Sequence, residues 1–370
     1  MIPRSTLLSL NLLLLAPAFA GAQHWQIAAA PGGLLEVDLR TGGSVEIRGG
    51  GGSSVTIDAK VTGADADAVE VKAVAVAHGV RVRSEYTRKL RHSSASADLT
   101  IVVPDRFDLD FDSMGGGLGV TGVEGRLEGE TMGGAIVLHQ VKGKVSLSTM
   151  GGEIEVTDSE AEGKVSTMGG DVRFHNVRGG LQGSSMGGQV RIDEPDDAAP
   201  GAPRRVKITT MGGPIHLKSA PGGAEVSTMG GDVEIESAAG PVNASTMGGE
   251  IVIGGASSDV VASTMGGDVK VRVVPGGGDV DLESNSGDIE LTLPSGFSAT
   301  FELEVAFTRN SKRAYEIRSD FPVEQHTTAD WSYDQGSPRK YIRGAGKSAD
   351  GTHRVKVRTI NGDIVIHQGG

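Results

Sequence analysis

Thr228-Met229-Gly230-Gly231-Asp232-Val233-Glu234-Ile235-Glu236 is the stretch on which the reading of this chain turns. From Val233 onward apolar and charged residues alternate at a period of two, the period at which successive side chains of a β-strand face opposite ways. Val172 with Phe174, Ile251 with Ile253 and Val269 with Val271 repeat the pattern behind the same Met-Gly-Gly. Working outward, methionine stands at Met114, Met132, Met150, Met168, Met186, Met211, Met229, Met247 and Met265, and the only other one is Met1. Each step is 18 residues except one of 25, which holds Pro195-Asp196-Asp197-Ala198-Ala199-Pro200-Gly201, the composition of a loop bulging from a repeat array. A second alternation, as in Val145 with Leu147 or Val280 with Leu282, fills the other half of each unit, with Gly143, Gly179, Gly222 and Gly240 near the turn between halves. The pattern weakens after Met265 but persists at Asn285-Ser286-Gly287-Asp288-Ile289 and returns at Thr359-Ile360-Asn361-Gly362-Asp363-Ile364.

A single unit of this kind cannot bury its own apolar face. Stacked units about 4.8 Å apart pair every backbone group with the coils on either side. A sandwich of hairpins has no need of the same residue at the same offset nine times. The expectation is therefore an all-β, parallel β-solenoid on an 18-residue coil, with about ten coils giving a rod on the order of 48 Å. Whether a coil has two faces or three stays open. Gly230, Gly231, Gly248 and Gly249 are expected at an abrupt corner with positive φ, where a Cβ would strain the chain or strike the next coil. The Met column is expected to fill that corner from inside, the flexible thioether suiting irregular gaps. An exposed, regularly spaced Met stripe is the alternative.

Composition agrees. Glycine supplies 57 of 370 residues, and each costs about 1 kcal/mol against alanine inside a helix, so a mainly helical fold is excluded. With 4% aromatic residues, the core has to be built from Val, Ile, Leu and Ala. The formal charge of −12 argues against nucleic acid as a partner, because that needs a basic footprint. Cysteine is absent, which excludes disulfides, thiol catalysis and thiolate metal sites. Residues 1–22 read as a signal peptide: Arg4, the apolar run Leu7 to Leu15, then Ala18-Phe19-Ala20 or Ala20-Gly21-Ala22 as a cleavage site. That run is too short to cross a bilayer, which takes about 20 residues, and no later segment approaches that length, so no transmembrane segment is expected. The organisation predicted for the rest is a β-rich N-terminal cap over 23–113, the repeat array over 114–293, and a C-terminal β cap or side lobe over 294–370. Eight of the 14 aromatic residues fall between Phe297 and Tyr341 in that last part, and a final repeat-like strand closes it.

The repeat, its entry Leu99-Thr100-Ile101-Val102-Val103-Pro104 and its closing segment from Gly344-Ala345-Gly346 to Ile366 together resemble the bacterial putative-adhesin family. The resemblance covers nearly all of the chain after the leader. It implies a right-handed solenoid at the cell envelope and, its motifs being structural, implies no chemistry.

Several motifs have formal matches to sites. Gly117-Leu118-Gly119-Val120-Thr121-Gly122 matches a dinucleotide fingerprint, which works only ahead of a helix, and none is predicted there. Gly183-Ser184-Ser185-Met186-Gly187 matches a nucleophile elbow, yet Ser185 is the repeat equivalent of Thr167 and Thr228. Gly346-Lys347-Ser348 lacks the first glycine of a phosphate loop, its place being taken by Tyr341. Asp232, Glu250 and Asp268, like Glu153 and Asp171, should stack on consecutive coils, where like charges either face water or enclose a cation such as Ca²⁺. The solvated corner is the preferred reading, since Ala135, Gln189 and Pro214 take the same place elsewhere. His139 and His175 share an offset but lie two coils apart, about 9.6 Å, too far for one ion. No catalytic residue and no cofactor is expected.

The function expected is that of a non-enzymatic envelope protein, exported to the periplasm or cell surface. Its rigid solenoid would present a binding surface to an envelope protein or polysaccharide, in adhesion or envelope-stress sensing. The alternatives are a β-helical polysaccharide lyase or hydrolase, which needs paired carboxylates in a groove, and a calcium-stabilised structural solenoid.

Overall fold

The computed structural model describes residues 22–50, 52–89, 94–193, 205–311, 313–333 and 337–369. The expected signal peptide, apart from Ala22, and the proline-rich insertion at 195–201 lie outside the described residues. The chain is all-β: a large, mostly parallel sheet wound round an axis, with an N-terminal β region. Among the described residues the one helix is a single 3₁₀ turn, Ala66–Ala68.

Each repeat contributes strands to two rows. The strands that follow Met-Gly-Gly stack on one another, as Val190–Asp193, Ile215–Ala220, Val233–Ala238, Ile251–Ala256 and Val269–Val273 do. The strands that lead into the motif form the other row, as Leu181–Ser185, Val206–Thr210, Ala224–Ser227, Val242–Thr246 and Val260–Thr264 do. Two faces, not three, settle the open question. Ile154–Thr167 is continuous through the turn and pairs in both rows. Like residues meet: Ile136 stands opposite Ile154, Val233 opposite Ile251, and Ser185 opposite Thr210 despite the insertion between them.

Alternation sets what lies between the rows. Val233 and Ile235 point inward with Val242 and Ala244, while Glu234 and Glu236 face water. The apolar core runs unbroken along the stack and is thin, with large side chains matched to small ones. Phe174 is one such case: a Cβ added at Gly183 would come 3.2 Å from its ring, so the glycine makes room for the phenyl group.

Both ends depart from chain order. The coil formed by Gly33–Leu39 and Val45–Gly49 lies between the later strands Gly79–Tyr86 and Ala95–Val103 on one side and Phe107–Ser113 and Leu118–Thr121 on the other. At the far end, His353–Ile360 and Ile364–Gly369 slot between Val280–Ser284 and Ile289–Pro294 on one side and Ala299–Thr308 and Ile317–Ser319 on the other. The repeat-like closing strand is thus an inner rung rather than the last one. Antiparallel strands finish each end: Val69–Val76, Gln23–Ala28 and Ser54–Gly63 at one, Arg339–Ser348 and Val323–Thr327 at the other. Aromatic packing accompanies the second cap, with Phe301 5.3 Å from Phe321 and Phe307 edge-on to Trp331 at 6.0 Å.

Candidate functional site

The corner at Thr/Ser-Met-Gly-Gly gives each of its residues a different task. Thr246 is buried, and its hydroxyl donates to the Gly231 carbonyl one coil earlier (2.9 Å) while accepting the Gly249 N–H (3.2 Å). Thr149, Thr167 and Ser185 make the same two bonds one coil after another. The hydroxyl thereby satisfies backbone groups that the turn takes away from the ladder.

The two glycines are not equivalent, and this corrects the expectation. A Cβ on Gly249 would fall 2.1 Å from the Gly231 carbonyl oxygen, and one on Gly231 2.1 Å from that of Gly213. At Gly248 nothing is nearer than 3.7 Å, and the Gly230 environment is equally open. Nor is the corner left-handed: of the repeat Gly-Gly pairs only Gly116 has a positive φ, and backbone approach rather than φ excludes a side chain from the second position. Left-handed residues occupy the opposite corner instead, at Gln140, Asp158 and Asn176.

The Met column is also corrected. All nine repeat methionines point outward and are 45–60% exposed. The reason is parity: Val145, Leu147 and Thr149 are buried at alternate positions, and Met150 is the next residue out of phase. The column is continuous, Gly212 N–H bonding the Met186 carbonyl across the insertion at 2.9 Å and Gly230 N–H bonding that of Met211 at 3.0 Å.

The acidic ladder is consumed by the fold. Asp232 accepts the backbone N–H of Glu250 at 2.8 Å, and Asp268 accepts that of Asp288 at 2.8 Å. Glu250 pairs with Lys270 at 2.7 Å, which pushes the amine pKa up through the hydrogen bond first and the opposite charge second. Arg173 bridges Glu153 and Asp171. Like charges are thus interleaved with backbone donors and side-chain cations, and among the described residues no group of three metal-ligating acids and histidines forms. His139 and His175 stand either side of Thr157, two rungs apart as the offsets implied. Sequence reading passed over His216, which lies between Glu234 (3.0 Å) and Glu236 (3.2 Å).

The formal motifs are structural. Leu118–Thr121 is a strand that runs into a further strand, Ser185 is buried in the hydroxyl column, and Gly346 to Ser348 belong to Arg339–Ser348. On the outer face of the row leading into the motif, an open groove of about 550 Å³ crosses successive rungs. Lys164, Gln182 and Lys207 form one of its rows and Ser166, Ser184 and Thr209 the next. Met168, Met186 and Met211 border it.

No family model and no curated protein matches the chain. Solved structures do. A putative cell adhesion protein from Clostridium sporogenes ATCC 15579 covers 94% of this chain and 100% of its own at 9% identity, with a TM-score of 0.17. A putative adhesin from Bacteroides fragilis NCTC 9343 covers 74% and 96% at 13% identity, with a TM-score of 0.24. Identities and superpositions this low leave what this chain binds to its own geometry. No helix among the described residues is long and apolar enough to cross a membrane.

Proposed function

We propose that the protein is an exported, non-catalytic scaffold of the cell envelope: a right-handed solenoid, eighteen residues to the coil, that presents its outer surface to an extended envelope polysaccharide. The groove supports this reading. Rungs about 4.8 Å apart repeat a hydroxyl beside an amine or amide, so a polymer lying along the axis meets the same donors again and again. Lys164 favours an anionic chain, Lys207 shares its charge with Glu225 on the next rung (2.9 Å), and the bordering methionines offer apolar contact to sugar ring faces.

The test is retention of the purified protein on immobilised uronate polymers, compared with Lys164→Glu/Lys207→Glu. Salt-sensitive retention that the double variant loses is the expected result. Equal retention of both proteins removes the groove from the reading. Turnover of the polymer, abolished by changing Glu234 and Glu236 beside His216, would replace the scaffold with a lyase or hydrolase.

A further inference from the structure

Of the motif's four repeated columns the fold accounts for the hydroxyl and the second glycine; the first glycine stands in open surroundings, and the methionine is unexplained. Past Met265 the hydroxyl continues at Ser284 and Thr359, each bonding a glycine carbonyl one rung away (2.9 and 2.6 Å), and the tight glycine continues at Gly287 and Gly362. Methionine does not continue. Asn285 and Ile360 follow those hydroxyl residues on the same corner, and Arg40 stands beside Met114 at the other end. The corner therefore accepts amide, branched aliphatic and guanidinium side chains, and nothing in its packing asks for methionine.

Nor did the nine arise from copying the unit whole, because the residue after Gly-Gly varies freely through Ala135, Glu153, Asp171, Gln189, Pro214 and Asp232. A merely apolar contact would be served by leucine, isoleucine or valine, all of which the repeats use elsewhere. What methionine alone adds is a thioether.

We propose that the Met column is a binding site for soft monovalent metal ions, Cu(I) or Ag(I), each held by thioethers of adjacent coils. Thioether sulfur selects such ions over hard ones, which take oxygen donors. Neighbouring rungs are about 4.8 Å apart, and three rotatable bonds let two or three sulfurs turn toward one ion. The backbone ladder holds the methionines in register while their side chains stay in solvent, so ions enter without opening the core. At two or three thioethers per ion, the nine hold roughly three or four ions. This site does not depend on the polysaccharide reading, and Met229, Met247 and Met265 lie outside the groove.

The experiment titrates the full chain, labelled at the methionine ε-methyl groups, with silver nitrate in chloride-free buffer, followed by NMR and native mass spectrometry. The expected result is a shift of the ε-methyl signals with saturable uptake, undone by Cu(I) kept reduced with ascorbate. Met229→Ile/Met247→Ile/Met265→Ile should lose about a third of the bound ions, keep its thermal midpoint, and keep its retention on the uronate polymer. If that variant does not fold, asparagine, the residue at 285, replaces isoleucine at all three positions. Silent ε-methyl signals, equal shifts with calcium or zinc, or full uptake by the folded triple variant would each overturn the proposal.

Discussion

A Cβ on Gly249 meets a carbonyl oxygen of the previous coil at 2.1 Å, whereas one on Gly248 meets only ordinary contacts at 3.7 Å. Backbone groups on both sides of the tight contact are held by the Thr246 hydroxyl, so relief at Gly249 requires the coils to move apart. Gly249→Ala should therefore cost well over the roughly 1 kcal/mol of an average substitution, while Gly248→Ala stays within about 0.5 kcal/mol. Urea melts of the two variants decide it, and equal midpoints would show that the close approach is not what holds the second glycine. The sequence shows both residues identically, nine times over, and supplies no distance by which to separate them. The methionines were more legible than their chemistry suggested. Counting by twos from Val145 through Leu147 to Thr149 places Met150 outside, and the reading failed because apolar character was allowed to outweigh parity.

Strands that meet the inserted N-terminal coil carry two carboxylates with opposite leanings. Asp98, on Ala95–Val103, is half-buried, and burial by itself would push its pKa up. The Ser44 N–H and hydroxyl (both 2.9 Å), the Ser96 hydroxyl (3.2 Å) and the charge of Lys60 together bring it below the usual carboxylate range. Asp110, on Phe107–Ser113, stands in register between Glu36 and Glu128, and partial burial followed by those two charges and Asp112 pushes it up. The signs follow. A depressed pKa contributes stability above the unfolded value of about 3.9, lost as pH falls through the folded one. A raised pKa contributes stability that is complete below the unfolded value and lost as pH rises through the folded one. Asp98→Asn should thus lower the thermal midpoint at about pH 7 and do little at about pH 2, while Asp110→Asn should raise it at about pH 7 and lose that gain in acid. Shifts that ignore pH would assign both effects to shape. The repeat made the rungs legible because like meets like. The interleaved ends were not: Leu35, Val37 and Leu39 alternate just as Val80 and Val82 do, and alternation alone names no neighbour.

At the scale of the whole molecule, stacking creates its own hazard, since the rung at each end of the stack exposes an edge able to receive another strand. This chain deals with it by the same device at both ends: the outer coil comes from an inner stretch of the sequence, and the coil nearer the chain terminus is threaded between it and the body. The far end allows a clean test. His353–Ile360 bonds Val280–Ser284 on one side and Ala299–Thr308 on the other, while Ile364–Gly369 does the same for Ile289–Pro294 and Ile317–Ser319. A chain stopped before His353 loses an interior rung rather than a tail, and its body and cap both turn unpaired edges and the buried faces of Val280, Leu282 and Phe301 to water. Such edges recruit other chains, so size-exclusion chromatography should show oligomers or aggregate where the intact protein runs as a smaller species. Added as a peptide, residues 353–369 find both edges already built on either side and should restore the smaller species. A truncated chain with unchanged elution and melting would mean that the body is closed without its threaded coil, and that the cap, not the terminal rung, guards the end.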